Sequence, residues 1–351
     1  MEIHQTTPHL DTNDAIGNYI TNIQKILIEM GFGSEVYTET NAAGLSSKTK
    51  NFRKLKDTDG IILHHFSIGC EMNRFINSLP NKKIIVYHNI TPPEFYLPYD
   101  VNVAYICKLG LDQLKKFKNN VIGSIADSEF NKRNLQEFGF EKIRVLPIPV
   151  DFNSLRTPPN PEYYERFNDG CTNFLFVGRV VPNKKFEDVI RVFHYYNKYI
   201  NSESRLLLVG SIQLRPYHEY LITLSKKLSI HKNVVFTDKI SLSKMIACYK
   251  ASDDLLCMSE HEGFCIPLLE SMFFRIPIVA YNSTAVPYTL GDAGVLVNKK
   301  DYEQIAELIN IINSDKSLRR KIIKKQTERL KFFDYRKTKA TFKKIIADFV
   351  G

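Results

Sequence analysis

Two carboxylates in the pattern Glu262-x7-Glu270 bracket the run Gly263-Phe-Cys-Ile-Pro267, in which the proline stands where a helix can open. Such a turn sets the backbone N–H groups of Gly263, Phe264, Cys265 and Ile266 at a helix N-terminus, where unsatisfied donors and the helix dipole favour anionic or hydroxyl-rich ligands. A second cluster follows the apolar run Phe174-Leu-Phe-Val177: Gly178, Arg179 and, after Pro182-Asn183, Lys184. Arg179 offers a fixed fork of donors and Lys184 a mobile point charge, a pair suited to a diphosphate leaving group without a metal ion. The lesser alternative, read from these residues alone, is a pair of ordinary surface cations after a strand. His88 closes the run Ile84-Ile-Val-Tyr and precedes the irregular Asn89-Ile-Thr-Pro-Pro, a setting where site residues are common. His64 and His65 end another such run and are its nearest competitors, with packing open to them as readily as chemistry.

The elements that must position these residues alternate between strand and helix signals, the pattern of parallel sheets covered on both faces. In the first half, Ile61 to Phe66, Ile84 to His88 and Ile122 to Ala126 read as strands. The prolines of Pro147-Ile-Pro-Val-Asp151 and Thr157-Pro-Pro-Asn-Pro161 break any regular element and mark a linker. The pattern then restarts with Phe174 to Val177, Leu206 to Val209, Val234 to Phe236, Leu255 to Cys257 and Ile278 to Ala280. The expected fold is α/β, two Rossmann-like doubly wound domains facing a central cleft, with ligands at the carboxyl ends of the strands. The expected boundaries are 1–155, a linker at 156–172, 173–335, and a C-terminal helix over 336–351 that returns toward the first domain.

At 351 residues and 44% hydrophobic, the chain can supply a core to each of two domains. No basic start with an apolar run opens it, and no stretch of about 18 apolar residues occurs, so neither a signal peptide nor a membrane span is expected and the cytoplasm is the default. The six cysteines show no C-x-x-C pair and no His/Cys cluster, which argues against a zinc site or a disulfide framework. The net charge of +10 is partly concentrated in Arg319, Arg320, Lys321, Lys324, Lys325, Arg329, Lys331, Arg336 and Lys337. A solvated helix face accounts for such a stretch, and docking at an anionic membrane leaflet is the sharper reading. Nucleic acid is not an expected partner, because no recognition motif accompanies the charge. No Asp-x-Asp motif ends a strand, so no metal is expected; Asp253-Asp254 is adjacent rather than spaced.

Taken together, Val-Gly-Arg179-x4-Lys184, Glu262-x7-Glu270 and Ile125-Ala-Asp-Ser128 leading to Pro147-x-Pro-Val-Asp151 resemble the retaining glycosyltransferases of family 4, which have the GT-B fold. The resemblance runs over nearly the whole chain. It implies a hexosyl transfer from a UDP- or GDP-linked sugar to a glycan or lipid-linked acceptor, with no cofactor. It further implies that Arg179 and Lys184 hold the diphosphate, that Glu270 binds the ribose diol, and that Glu262 with Gly263, Phe264, Cys265 and Ile266 faces the transferred sugar. Gly178 and the main chain near Ile240 belong to the same donor set, and His88 is the catalytic histidine of the amino-terminal half.

Four positions depart from the family pattern. Asp14-Ala15-Ile-Gly17 lies where Gly-Gly-x-Gly is usual, so phosphate contact there is expected to be lost, and Asp14 reads equally as a helix cap or an acceptor ligand. Cys265 and Lys185 each stand where glycine is common. With no convincing nucleophile, the expected mechanism is front-face transfer in which the donor phosphate takes the acceptor's proton. Rival readings are a nucleotide-sugar epimerase of the same architecture and a non-catalytic basic protein that binds membrane or nucleic acid.

Overall fold

The computed structural model describes residues 1–11, 15–41, 46–57 and 60–351. The chain forms two compact units, Met1–Val150 with Phe333–Gly351, and Asp151–Phe332. The first unit carries β1 (Ile3–Leu10), β2 (Val36–Asn41), β3 (Lys50–Asn51), β4 (Ile61–Phe66), β5 (Lys83–Tyr87), β6 (Gly123–Ala126) and β7 (Ile143–Val145). They pair in the order β3-β2-β1-β4-β5-β6-β7, every pair parallel. The second unit carries β8 (Thr172–Val177), β9 (Ser204–Val209), β10 (Val234–Phe236), β11 (Asp254–Cys257), β12 (Ile278–Tyr281) and β13 (Val295–Val297). Their order is β10-β9-β8-β11-β12-β13, again all parallel.

Each sheet reverses its direction of winding once, between β1 and β4 in the first unit and between β8 and β11 in the second. Loops that leave the carboxyl ends of such neighbouring strands diverge to opposite faces and leave a crevice between them. β4 and β5 are buried along their whole length, as strands covered on both faces must be. β1 is also almost entirely buried although its sequence, IHQTTPHL, is largely polar. Its polar side chains are held by partners: Thr6 Oγ1 lies 2.7 Å from His64 Nδ1, and Gln5 Nε2 donates to the Ile20 carbonyl at 3.1 Å.

The stretch 156–172, expected to be a linker, contains a helix, Pro161–Phe167, that begins on the side-chain cap of Asn160 and buries Phe167 within the second unit. The last helix, Tyr335–Val350, buries Phe342, Ile345 and Ile346 in the first unit. Phe349 lies so close to β6 that a Cβ on Gly123 would stand 2.4 Å from its ring, so a larger residue there would have to displace the ring. No helix among the described residues is long and apolar enough to cross a membrane.

Candidate functional site

The loops after β8 and β11 bring the first cation cluster and the first carboxylate together. Gly178 and Arg179 follow β8 directly and remain tied to the loop after β9, because Gly178 N donates to Val209 O and Val180 N to Ser211 O, both at 2.9 Å. The turn Pro182–Lys184 then directs Lys184 at Glu262, and its Nζ stands 2.6 Å from each carboxylate oxygen. Both side chains are buried, with 15% and 6% of their surface exposed. Burial alone would lower the lysine's pKa, but the Glu262 carboxylate outweighs it and holds the ammonium above its ordinary range.

Three residues that carried no signal in the sequence fix this junction. The Asn183 side-chain amide donates to His261 O at 2.9 Å while the Asn183 main-chain carbonyl accepts from Glu260 N at 2.9 Å, which staples the two loops. Thr284 Oγ1 accepts from Glu262 N at 2.9 Å. Gly210, at φ 145°, passes so close that a Cβ would stand 2.1 Å from Gly178 O. A Cβ on Gly178 itself would meet only the Lys184 methylenes, at 3.7 Å. Arg179 differs from Lys184: it is exposed, its Nη1 reaches Gln213 Oε1 at 3.5 Å, and no carboxylate pairs with it among the described residues.

The segment Gly263 to Ile266 leads into the helix Ile266–Phe274, with Pro267 in its first turn. Cys265 caps that helix in the left-handed region at φ 71°, and Lys185, ending the Pro182–Lys184 turn, is also left-handed at φ 52°. These are the two positions at which the resembled family commonly has glycine, and the backbone supplies the reason. Phe264 is buried, and its carbonyl accepts from Thr289 Oγ1 at 2.5 Å. Ile266 is half-buried at the helix start, and Ile240 is half-buried in the loop after β10, two strands out from β8. Glu270, one face further along the helix, accepts from Tyr249 OH at 2.5 Å, and burial nonetheless raises its carboxyl above the ordinary range.

Cys257, Glu262 and Cys265 bring ligand-type atoms within 4.8 Å of one another. The Lys184 ammonium already neutralises Glu262, so a metal there would have to displace a fixed cation. The Cys265 thiol is held well above its ordinary range by its hydrogen bond to Cys257 and by burial, which keeps it protonated rather than nucleophilic. Asp253 and Asp254 serve the fold: Asp253 accepts from Asn173 N at 2.9 Å, and burial pushes Asp254 up to about 7.

In the first unit, His88 stands at the end of β5 as expected, but its ring is buried, with 2% of the side chain exposed. Its Nδ1 lies 2.7 Å from Asp127 Oδ2 and its Nε2 2.8 Å from His65 Nδ1. His64 is bonded on both nitrogens, to Thr6 and Asn73, and burial lowers its pKa to about 4. Asp14 lies outside the described residues; Ala15 opens the helix Ala15–Glu29, and Gly17 is buried in its first turn, its carbonyl accepting from Thr21 Oγ1 at 2.9 Å.

The basic stretch divides by role. Arg319 donates to Asn313 Oδ1 and to the Asp253 carbonyl, Arg329 to the Tyr288 and Thr289 carbonyls, and Lys325 lies 3.1 Å from Asp292. Arg320, Lys321 and Lys324 remain exposed on the helix Lys316–Leu330.

A family model described as glycosyl transferases group 1 matches residues 165–329. The capsular polysaccharide biosynthesis glycosyltransferase CapM of Staphylococcus aureus is 28% identical over 232 residues, 63% of this chain. The chain spans only 56% of that relative's length. O-antigen chain mannosyltransferase B of Escherichia coli is 31% identical over 266 residues, 68% of either chain. Anabaena Alr3699/HepE, in its complex with UDP-glucose, superposes with a TM-score of 0.79 at 14% identity, covering 99% of this chain and 100% of that one. That likeness shows the GT-B fold. The chain belongs to the glycosyl transferases group 1 family.

Proposed function

We propose that this chain is a retaining, metal-independent glycosyltransferase of family 4, moving a hexosyl unit from a UDP- or GDP-linked sugar to a glycan or lipid-linked acceptor of a surface polysaccharide. The observation that carries the reading is the meeting of Lys184 with Glu262 at the β8/β11 switch point, beside the exposed Arg179 and the turn that opens the Ile266–Phe274 helix. A diphosphate at this point engages the Arg179 fork and takes a share of the Lys184 ammonium. Glu262, relieved of part of that cation, accepts from hydroxyls of the transferred sugar, and the Glu270 oxygen not bonded to Tyr249 accepts from the ribose diol. In the transfer, the anomeric C–O bond to the diphosphate breaks on the face where the acceptor oxygen forms its new bond. The acceptor's proton passes to the departing diphosphate oxygen, and Arg179 and Lys184 stabilise the charge that develops there.

The first unit receives the acceptor in this reading. The exposed Arg320, Lys321 and Lys324 add a peripheral contact with anionic membrane surface, each cation contributing about 1 kcal/mol. A screen of UDP, GDP and their hexose conjugates by thermal shift tests the donor assignment, since a ligand at a hundredfold its Kd stabilises by about 2.7 kcal/mol. No shift with any of them, and no transfer to extracted lipid-linked glycans, overturns it.

A further inference from the structure

Four side chains from neighbouring strands of the first sheet form one unbroken hydrogen-bonded row: Gln5 on β1, His65 on β4, His88 just past β5 and Asp127 just past β6. The direction of each bond follows from one end. The Ile20 carbonyl can only accept, so Gln5 turns its amide N–H₂ to it and presents Oε1 to His65 Nε2, 2.9 Å away. His65 Nε2 therefore carries a hydrogen. A buried neutral imidazole has only one, so His65 Nδ1 is an acceptor, and the hydrogen in its 2.8 Å contact with His88 sits on His88 Nε2. One proton is then left to share across the 2.7 Å contact between His88 Nδ1 and Asp127 Oδ2.

We propose that Gln5, His65 and Asp127 are positioning residues that lock the His88 imidazole as a donor from Nε2, so that neither of its nitrogens is available to take the acceptor's proton. The inference rests on the proposed transfer and on the resemblance that makes His88 its amino-terminal histidine, and it adds who holds the ring and in which tautomer. The surroundings agree. The two imidazoles are nearly coplanar, 6° apart, and Tyr19 from the Ala15–Glu29 helix stands edge-on to both, with ring centroids 5.6 Å from His65 and 5.1 Å from His88. Burial holds His65 well below its ordinary pKa, which keeps it neutral. Burial also raises Asp127 against the pull of His88. Among the described residues the groups facing His88 are thus His65, Asp127 and Tyr19, and among them the Tyr19 hydroxyl and Asp127 Oδ1 are themselves buried without a partner. A proton leaving the acceptor has no free lone pair on His88 to meet, which agrees with its passing to the donor phosphate.

The test uses the full chain labelled with ¹⁵N at histidine, with the His88 signals identified by their loss in His88→Asn. At pH 7.5 the expected spectrum shows His65 as the neutral Nε2–H tautomer and His88 bearing its hydrogen on Nε2. A bare Nε2 on His88, or a doubly protonated His65, overturns the proposal. In kinetics, Asp127→Asn is expected to lower kcat about tenfold while the Kd for UDP or GDP stays within twofold. The pH profile of transfer is expected to have no limb that vanishes in His88→Asn, and such a limb would overturn the proposal. Should no nucleotide bind and no transfer occur, the functional reading fails, while the spectrum still decides the tautomer.

Discussion

Lys184 and Glu262 are each other's partner: one ammonium lies 2.6 Å from both oxygens of one carboxylate, with both groups buried. The residues proposed to serve different parts of the donor, diphosphate and sugar, are therefore coupled before either meets it. Glu262→Gln keeps the shape and removes the charge. We expect the Kd of UDP or GDP to tighten about threefold to tenfold, up to about 1.4 kcal/mol, while transfer falls about a hundredfold. Isothermal titration beside a turnover assay reads both, and unchanged nucleotide affinity contradicts the coupling. Lys184→Ala strands a buried carboxylate and is expected to cost about 3–5 kcal/mol of stability in denaturant melts.

Arg179 is exposed and pairs with no carboxylate among the described residues, so the fold does not depend on it. Arg179→Ala is expected to melt within about 0.5 kcal/mol of the parent and to lose about 10²–10³ in kcat. Near-normal turnover rejects its role.

Lys185 lies in the left-handed region, where its nearest ion partners are Glu260 at 3.3 Å and Glu187 at 3.6 Å. Alanine and glycine at this position lose the same ion pairs, so comparing them isolates the backbone. Lys185→Gly is expected to exceed Lys185→Ala in stability by about 1 kcal/mol, read from urea midpoints. Equal midpoints contradict a strained turn.

Glu270 titrates above its ordinary range because it is buried, even with the Tyr249 hydroxyl bonded to it. Ribose binding needs the carboxylate. Affinity for UDP or GDP should therefore be full at pH values above the raised pKa and fall as pH drops through it. Glu270→Gln should bind more weakly at neutral pH and lose this acid-side dependence, checked by titration calorimetry from pH 8 down to the acid limit of the fold. A wild-type affinity flat across that range counts against the assignment.

Much of this was legible in the residues. The apolar runs of β4, β5 and β11 announced themselves because strands buried on both faces have little choice of residue. β1 did not: Gln5, Thr6 and Thr7 are buried through specific partners, and no periodicity encodes a partner 58 positions away such as His64. The same limit hid Asn183, Thr284 and Gly210, whose value lies in what they touch across loops. Arg179, Lys184, Glu262 and Glu270 stood out because their spacing resembles a family pattern, and the structure pairs Lys184 with Glu262. The division of the basic stretch into bonded Arg319, Lys325 and Arg329 and exposed Arg320, Lys321 and Lys324 depended on packing that charge alone cannot report.

The most direct test of the central claim is calorimetric titration of UDP and GDP into the wild-type chain and into Arg179→Ala. The account predicts that one of the two nucleotides binds at a single site and weakens at least tenfold in the variant. Binding that is indifferent to Arg179, or no binding of either nucleotide, contradicts it.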